Sequence, residues 1–195
     1  MPRLFVAVPI PTDVAVALAR SLPAEAPALR RVAPELLHVT LAFLGAVPEE
    51  RVADAAAAVA QAVRGRRAFR VAFTGLGRFP EHGPPRLAWA GTDAGREIEA
   101  VGGAVRHALE ARDLPFDPKP LRPHVTLARV REGTPAGEAA AVGAALAAAR
   151  LPRRLAFTAD AVHLMESVLS RSGPRYSSRA RAALTGGGNE GASAG

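Results

Sequence analysis

The pentapeptide His38-Val39-Thr40-Leu41-Ala42 occurs twice in this chain, returning 86 residues later as His124-Val125-Thr126-Leu127-Ala128. Both copies are short, apolar and rich in branched residues, as in buried β-strands. Each copy is followed, in the same order, by a helix-opening proline, an arginine pair and the tripeptide Ala-Phe-Thr, which lies at 72–74 and again at 156–158. A period this long is not that of a solenoid. It predicts two lobes of similar β–α–β build, related by a pseudo-twofold axis.

The rest of the chain alternates strand and helix patterns. Branched and apolar runs bounded by proline or glycine predict strands at 3–9, 36–44, 69–74, 87–90, 121–130, 155–158, 161–169 and 176–183. Capping residues and apolar stripes predict helices at 12–22, 48–64, 93–112 and 135–150. The expected fold class is α+β, with two antiparallel sheets that line a central cleft and helices on the outside. We expect residues 1–185 to form one bilobal domain with interleaved lobes, and the Gly-rich tail at 186–195 to be disordered.

Composition limits what the chain can be. With 195 residues, of which 49% are hydrophobic and 22% charged, it can bury a core. It has no cysteine, which excludes disulfide scaffolds, Cys-ligated zinc, iron–sulfur clusters and thiol nucleophiles. Lys119 is the only lysine, so 24 of the 25 basic residues behind the net charge of +7 are arginines. Guanidinium binds phosphate and stacks on bases, which favours an anionic or nucleic-acid ligand. Codon bias explains the arginines equally well.

The apolar stretch at the N-terminus does not have the pattern of an export signal. Pro9, Pro11 and Asp13 interrupt it, whereas a cleavable signal needs an unbroken apolar run of roughly 7–15 residues. The longest uncharged alanine-rich run, at 139–149, is well short of the roughly 20 residues that span a bilayer. We therefore expect a cytoplasmic protein with no membrane partner.

The two His-x-Thr strands carry the chemistry. Side chains two residues apart on a strand share a face, so His38 projects with Thr40 and His124 with Thr126. If the two lobes face each other, two imidazoles and two hydroxyls meet in one cleft. Imidazole titrates near neutral pH, so one ring can accept a proton while the other donates one. In-line displacement at phosphorus needs such groups on opposite sides of the phosphate, and Thr hydroxyls can stabilise its non-bridging oxygens.

Two other interpretations of the motif compete with catalysis. A single His-x-Thr is usually a core histidine with satisfied hydrogen bonds, but its duplication favours a catalytic pair because burying two imidazoles is costly. Metal ligation is disfavoured because no carboxylate or third histidine shares the strand face, so we expect no metal and no cofactor. Among the other histidines, His82 and His107 are expected in solvent, and His163 faces either the core or the cleft.

These residues resemble the two-histidine phosphoesterase superfamily, and within it the bacterial and archaeal RNA 2′,3′-cyclic phosphodiesterases, also called 2′-5′ RNA ligases. The resemblance rests on the stretches 3–7, 38–41, 43–45 and 122–129. It implies a metal-independent hydrolase that opens the 2′,3′-cyclic phosphate at an RNA end to a 2′-phosphomonoester, with reversible 2′-5′ RNA ligation. It also implies His38 as the proton donor and His124 as the proton acceptor, with Thr40 and Thr126 binding the phosphate.

Arg129 and Phe43 are further substrate-binding candidates from the resemblance, for phosphate and base respectively. Each lies five residues after its histidine, an odd spacing that points it away from the cleft in a regular strand. A bulge or a strand end must bring Arg129 back. Phe43 has the same parity problem and is at least as well explained as a core residue.

The implied partner is RNA with a 2′,3′-cyclic phosphate terminus, bound by a monomer. The loops between the motifs offer Arg78, Arg86 and His82 for RNA contact. One alternative is a cyclic phosphodiesterase for small nucleotides or ADP-ribose cyclic phosphate, and another is a non-catalytic RNA-binding module. The aromatic content of 5% argues against an extensive base-stacking platform, and the intact duplicated motifs argue against loss of catalysis.

Overall fold

The computed structural model of the protein describes residues 1–93, 95–170 and 173–185. The strands in these ranges are β1 (Arg3–Pro9), β2 (Leu29–Arg31), β3 (His38–Ala46), β4 (Phe69–Phe79), β5 (Leu87–Asp93), β6 (His124–Val130), β7 (Ala156–Ala159), β8 (Ala161–Ser170) and β9 (Gly173–Ala183). The α-helices are α1 (Thr12–Arg20), α2 (Val52–Val63), α3 (Gly95–Glu110) and α4 (Ala136–Ala148). The tail at 186–195, for which the sequence predicts disorder, lies outside the described residues.

The strands pair in the order β7-β4-β5-β6-β3-β1-β8-β9, and β2 adds to β6. All of these pairings are antiparallel. The order is symmetric about its centre, where the two histidine strands β6 and β3 meet at a single residue pair, Val125 with Val39. The predicted α+β class is confirmed. The two expected antiparallel sheets are therefore two arms of one nine-stranded sheet, one with β7, β4, β5, β6 and β2 and the other with β3, β1, β8 and β9, joined where the histidine motifs lie.

Element boundaries differ from the sequence-based ones mainly around the histidines. Both β3 and β6 begin at their histidine, two or three residues later than predicted. A 3₁₀ turn at Pro34–Leu36 precedes β3, and Pro123, which lacks an amide hydrogen, precedes β6. The short strand β2 was not predicted because its three residues include two arginines and show no apolar alternation. Strand β4 runs five residues longer than predicted.

The core lies on the face of the sheet opposite the cleft. The odd-numbered residues of the two motifs, predicted to face apolar packing, are fully buried: Val39, Leu41, Val125 and Leu127. The predicted stripe of α3 is buried as well: Ile98, Val101, Val105 and Leu109. Each such side chain contributes about 1.5–3 kcal/mol relative to exposure to water. In the described ranges, no helix combines the length and the apolarity that crossing a bilayer requires.

The repeated Ala-Phe-Thr tripeptide does not mark equivalent places in two lobes. Its copies lie on β4 and β7, which pair with each other in one arm of the sheet, with Ala72 opposite Ala156. The rings of Phe73 and Phe157 stack with their centroids 6.1 Å apart. The two copies are therefore neighbours in one arm, and the pseudo-symmetry of the fold rests on the strand order about the histidine strands.

Candidate active site

The two histidines are anchored in the same way. Nδ1–H of His38 donates to the carbonyl oxygen of Leu36 at 2.7 Å, and Nδ1–H of His124 donates to that of Arg122 at 2.6 Å. A carbonyl oxygen can only accept a hydrogen bond, so Nδ1 carries the proton in both neutral rings. This fixes the tautomer and leaves Nε2 of each ring free to exchange a proton with a ligand.

Both rings open onto one cleft of about 560 Å³, a size within the range of small-ligand sites. The cleft brings together all six predicted site residues, which are His38, Thr40, Phe43, His124, Thr126 and Arg129. The neighbouring strands β3 and β6 supply them, so the central junction of the sheet is also the centre of the site. Whether these residues act on a substrate stays a prediction.

A β-bulge in each histidine strand explains how the residues five positions after the histidines reach the cleft. In β3, Thr40 and Ala42 lie opposite consecutive residues of β1, which leaves Leu41 as an extra residue. In β6, Leu127 is the extra residue against β5. Two successive residues of each strand then point into the core, and the alternation of faces is reversed beyond them.

The bulges turn Phe43 and Arg129 back to the histidine side. Both side chains are exposed, Phe43 by 55%, and both line the cleft. The core interpretation of Phe43 is therefore wrong, since the bulge at Leu41 takes it out of the buried row. A bulge is rarely readable from one sequence, although its repetition at the same place in both strands follows from their shared pentapeptide.

Aromatic side chains from other strands support the two imidazoles. The Phe5 ring lies 4.9 Å from that of His38, and the Tyr176 ring approaches His38 edge-on at 5.5 Å, centroid to centroid. Trp89 approaches His124 edge-on at 6.4 Å. Tyr176 also lines the cleft, and sequence reasoning missed it because it lies on β9, far along the chain from either motif.

Sequence reasoning also missed the segment that forms one wall of the cleft. Arg30 and Arg31 on β2 line it together with Val32 and Ala33. The guanidinium of Arg31 donates to the backbone carbonyl oxygens of Ala19 and Pro23, so this side chain is tied back to the protein. The adjacent arginines shortly before the first motif were the available signal, but an arginine-rich chain gives that signal little weight.

The pKa of the His38 imidazole is lowered from its ordinary value. Desolvation is the largest influence and lowers the pKa of His38. The hydrogen bond to the Leu36 carbonyl raises this pKa, and the charge of His124 lowers it further. In the free protein His38 therefore favours the neutral form. Burial also raises the pKa of the Tyr176 hydroxyl, and the positive charge of Arg129 opposes that shift.

The weaker candidates lie away from the cleft lining. His82 and His107 are exposed, as predicted. His163 on β8 is half-buried, with Nδ1 3.0 Å from Oγ of Ser178, and it borders a different depression. Arg78 donates to the Gly83 carbonyl, and Arg86 lies by the loop after β6. None of these five residues lines the cleft.

Acidic groups are absent from the described lining of the cleft, which contains no Asp or Glu. Over the whole described part of the chain, no three His, Asp or Glu side chains are grouped as metal ligands would be. The ionisable groups that face a ligand are therefore two imidazoles, arginine guanidiniums and one phenol, a set suited to an anion.

A family model described as the 2′-5′ RNA ligase superfamily matches residues 9–171, a span that includes both histidine motifs. An RNA 2′,3′-cyclic phosphodiesterase of Thermus thermophilus is 37% identical over 140 residues, which are 68% of this chain and 71% of that protein. One from Geobacillus stearothermophilus is 32% identical over 132 residues, 66% of this chain and 42% of that protein. The crystal structure of E. coli LigT complexed with 3′-AMP has a TM-score of 0.74 at 25% identity, covering 95% of this chain and 99% of LigT.

Proposed function

This chain belongs to the 2′-5′ RNA ligase superfamily, and from that premise we propose that it hydrolyses the 2′,3′-cyclic phosphate at the end of an RNA to a 2′-phosphomonoester. Relatives that share up to 37% identity are named for an RNA 2′,3′-cyclic phosphodiesterase activity. The observation that carries the proposal is the pair of imidazoles, each held through Nδ1 and each with Nε2 available to the same cleft.

In the proposed reaction, water attacks phosphorus and the bond from phosphorus to O3′ breaks. Nε2 of His124 accepts a proton from the water as the new bond forms. Nε2–H of His38 donates a proton to O3′ as it leaves, so the products are a 2′-phosphate and a free 3′-hydroxyl. Exchange with solvent then restores both rings. A 5′-hydroxyl in the place of water would give a 2′-5′ linkage by the same steps.

The lowered pKa of His38 is compatible with its role as an acid. In the empty cleft, burial disfavours the imidazolium form of His38. A bound cyclic phosphate places a negative charge beside the ring, and a nearby opposite charge raises the pKa of a histidine. The bound substrate therefore favours the protonated form of His38, which is the form that donates a proton.

The remaining cleft residues have supporting roles in this proposal. The hydroxyls of Thr40 and Thr126, on the same faces as the histidines, donate hydrogen bonds to the non-bridging oxygens, where charge develops in the transition state. Arg129 binds a phosphate of the RNA chain, and Phe43, which is exposed and lines the cleft, stacks on the terminal base. Tyr176 packs against His38 and limits its movement.

We also propose that a monomer is active and that residues 1–185 act as one bilobal unit. In support of a single unit, β3 and β6, which belong to different arms of the sheet, each supply a histidine and a threonine to the cleft. Specific activity that does not change over a wide range of protein concentration is the expected result. A rise of specific activity with concentration would indicate that a second copy is required.

The proposal is tested with a short RNA that ends in a 2′,3′-cyclic phosphate. We expect hydrolysis to a phosphomonoester that resists a 3′-specific phosphatase, and no hydrolysis by a variant that lacks both histidines. Ready release of phosphate by the 3′-specific enzyme would mean that O2′ leaves instead. Binding without hydrolysis would indicate a non-catalytic RNA-binding module, and faster hydrolysis of ADP-ribose cyclic phosphate would indicate a small-molecule enzyme.

A further inference from the structure

Arg30 stands directly opposite Arg129 in the pairing of β2 with β6. Directly paired residues of antiparallel strands share a face, with their Cβ atoms about 4.5–5.5 Å apart, and like charges in that position destabilise the sheet. Both residues are exposed and both line the cleft. Two arginine side chains therefore leave neighbouring strands side by side at the wall of the candidate active site.

Nothing in the described structure neutralises this pair. Neither Arg30 nor Arg129 forms an ion pair within the described ranges, and the described lining of the cleft includes no carboxylate. The neighbouring Arg31 differs, because backbone carbonyls hold its guanidinium. An uncompensated pair of arginines at the wall of a cleft has the chemistry of a phosphate site.

The pair is displaced from the imidazoles along β6. Arg129 follows His124 by five residues, one of them in the bulge, so at a strand rise of 3.2–3.4 Å their Cα atoms are about 13 Å apart. Arg30 lies on the far side of β6 from β5, at the same level as Arg129. This separation leaves room along the cleft for a second phosphate beside the one that lies between the histidines.

We propose that Arg30, together with Arg129, binds the phosphodiester on the 5′ side of the terminal nucleotide. This inference rests on the proposed function and deepens it, because it makes the substrate an RNA chain and not a cyclic mononucleotide. A 2′,3′-cyclic mononucleotide with a free 5′-hydroxyl has no group for this site. Arg30 is then a specificity residue that distinguishes a chain end from a free nucleotide.

The test compares three substrates: 2′,3′-cyclic AMP, the dinucleotide ApA with a 2′,3′-cyclic end, and the same dinucleotide with an uncharged methylphosphonate linkage. We expect the wild-type protein to favour the charged dinucleotide over cyclic AMP in kcat/KM, and the methylphosphonate to lose about tenfold, the size of one charge-assisted hydrogen bond. Arg30→Ala should lower the ratio of kcat/KM on the charged dinucleotide to kcat/KM on cyclic AMP by about tenfold, chiefly through KM. In this variant, kcat/KM on the methylphosphonate dinucleotide should be close to that on the charged dinucleotide.

The matched control is Arg20→Ala, which removes the same charge from the exposed last turn of α1, outside the cleft lining. It should leave the substrate ratio as in the wild type. Thermal unfolding separates binding from a structural role: because Arg30→Ala relieves a like-charge pair, its Tm should not fall. The wild-type comparison of the two dinucleotides tests the proposal even if a variant fails to fold.

The outcomes separate this inference from the proposed function. If the wild type hydrolyses all three substrates but does not distinguish the charged dinucleotide from the methylphosphonate, Arg30 does not read a phosphate and the inference is overturned while the function stands. A wild-type preference that Arg30→Ala leaves intact also overturns it. If the wild type hydrolyses none of the three, the proposed function itself fails.

Discussion

The two histidines share one hydrogen-bonding arrangement but not one environment. Both donate from Nδ1 to the carbonyl two residues earlier. His38 is packed between the rings of Phe5 and Tyr176, whereas His124 meets the edge of Trp89. Aromatic packing removes water from His38, which accounts for its lowered pKa. Two histidines with the same sequence motif therefore have different surroundings, which suits a pair proposed to act as an acid and a base.

Replacing either histidine by alanine tests their joint action. We expect His38→Ala and His124→Ala each to reduce hydrolysis of the cyclic RNA end by about 100-fold or more, the usual worth of a positioned acid or base. The double variant should lose little beyond either single variant, because residues that act as a unit are strongly non-additive. Full activity of either single variant would show that its histidine has a structural role and not a catalytic one.

Leaving-group chemistry distinguishes the acid from the base. A nitrophenyl phosphodiester has a leaving oxygen that departs without protonation, so it does not need the acid. We expect it to rescue His38→Ala more than His124→Ala, measured as the ratio of kcat/KM on the nitrophenyl substrate to that on the RNA. Rescue in the opposite order would exchange the two roles.

The burial of His38 also predicts how folding stability depends on pH. Its pKa is lowered in the folded state from the ordinary value of 6.5, so between these two values the unfolded chain binds more protons. Stability should fall as the pH drops through the ordinary value, and should level off below the folded pKa. Burial also lowers the pKa of His163, so this residue adds to the same loss of stability at low pH.

Urea unfolding at several values between about pH 5 and 8 measures this dependence. His38→Gln should flatten it, because the substituted side chain does not titrate. His107→Gln is the matched control, since His107 is exposed on α3. An unchanged slope in His38→Gln would show that burial of this imidazole does not set its protonation.

At the scale of elements, the sequence predicts the helices and strands well where their periodicity is strong. The stripe of α3 and the motif strands are found as predicted because apolar periodicity follows directly from one-sided burial. Strand β2 could not be found in this way, since a three-residue strand has no period to detect. Its two arginines, one opposite Arg129, enter the site only through tertiary pairing.

In the candidate site too, some residues could be predicted from the sequence and others depend on the tertiary structure. The histidines and threonines could be found because a duplicated motif is visible in the sequence itself. Tyr176 could not be found, because its contact with His38 depends on the placement of β9 in the same arm of the sheet as β3. The orientation of Phe43 and Arg129 depends on bulges, which change the face of every later residue without changing the composition.

The pairing of β4 with β5 fixes the place of Trp89 beside His124. Gly77 lies opposite Trp89, and a Cβ added at Gly77 would clash with the indole ring. We expect Gly77→Ala to displace Trp89, to destabilise the fold by about 1–3 kcal/mol and to lower activity through His124. Trp89 is the only tryptophan, so its fluorescence emission reports the displacement directly.

Gly75→Ala is the matched control on the same strand. A Cβ at Gly75 meets no atom within 4 Å, so emission and stability should stay close to those of the wild type. An emission spectrum of Gly77→Ala that is indistinguishable from the wild type would contradict the assigned packing of the indole.

At the scale of the whole molecule, the site lies where the two arms of the sheet are least connected. Strands β3 and β6 share one residue pair, Val39 with Val125, and diverge on either side of it. The cleft lies at this junction, and one histidine from each arm lines it. In-line displacement requires an acid and a base on opposite sides of the phosphorus, so a pair drawn from two arms of the sheet suits it if the phosphate lies between the two rings.

Metal removal tests whether the cleft is chemically complete. In the proposed mechanism two imidazoles supply both proton transfers and the threonine hydroxyls supply charge stabilisation, so activity on the cyclic RNA end should survive EDTA. Rates before and after dialysis against the chelator measure this. Loss of activity that a divalent cation restores would replace the histidine-only mechanism with a metal-assisted one.

Salt dependence tests whether the positive charge of the molecule is used to bind a polyanion. The chain carries a net charge of +7, and the described lining of the cleft has arginines without carboxylates. Each phosphate contact releases counterions, so log affinity for a single-stranded RNA product should fall with log salt by about 0.7 per contact. Arg129→Ala should make this slope shallower by about that amount, whereas Arg20→Ala, outside the cleft, should not. A slope that stays flat from low to moderate salt in the wild type would mean that the charge is not engaged, and that the cleft takes a small cyclic phosphate in place of an RNA chain.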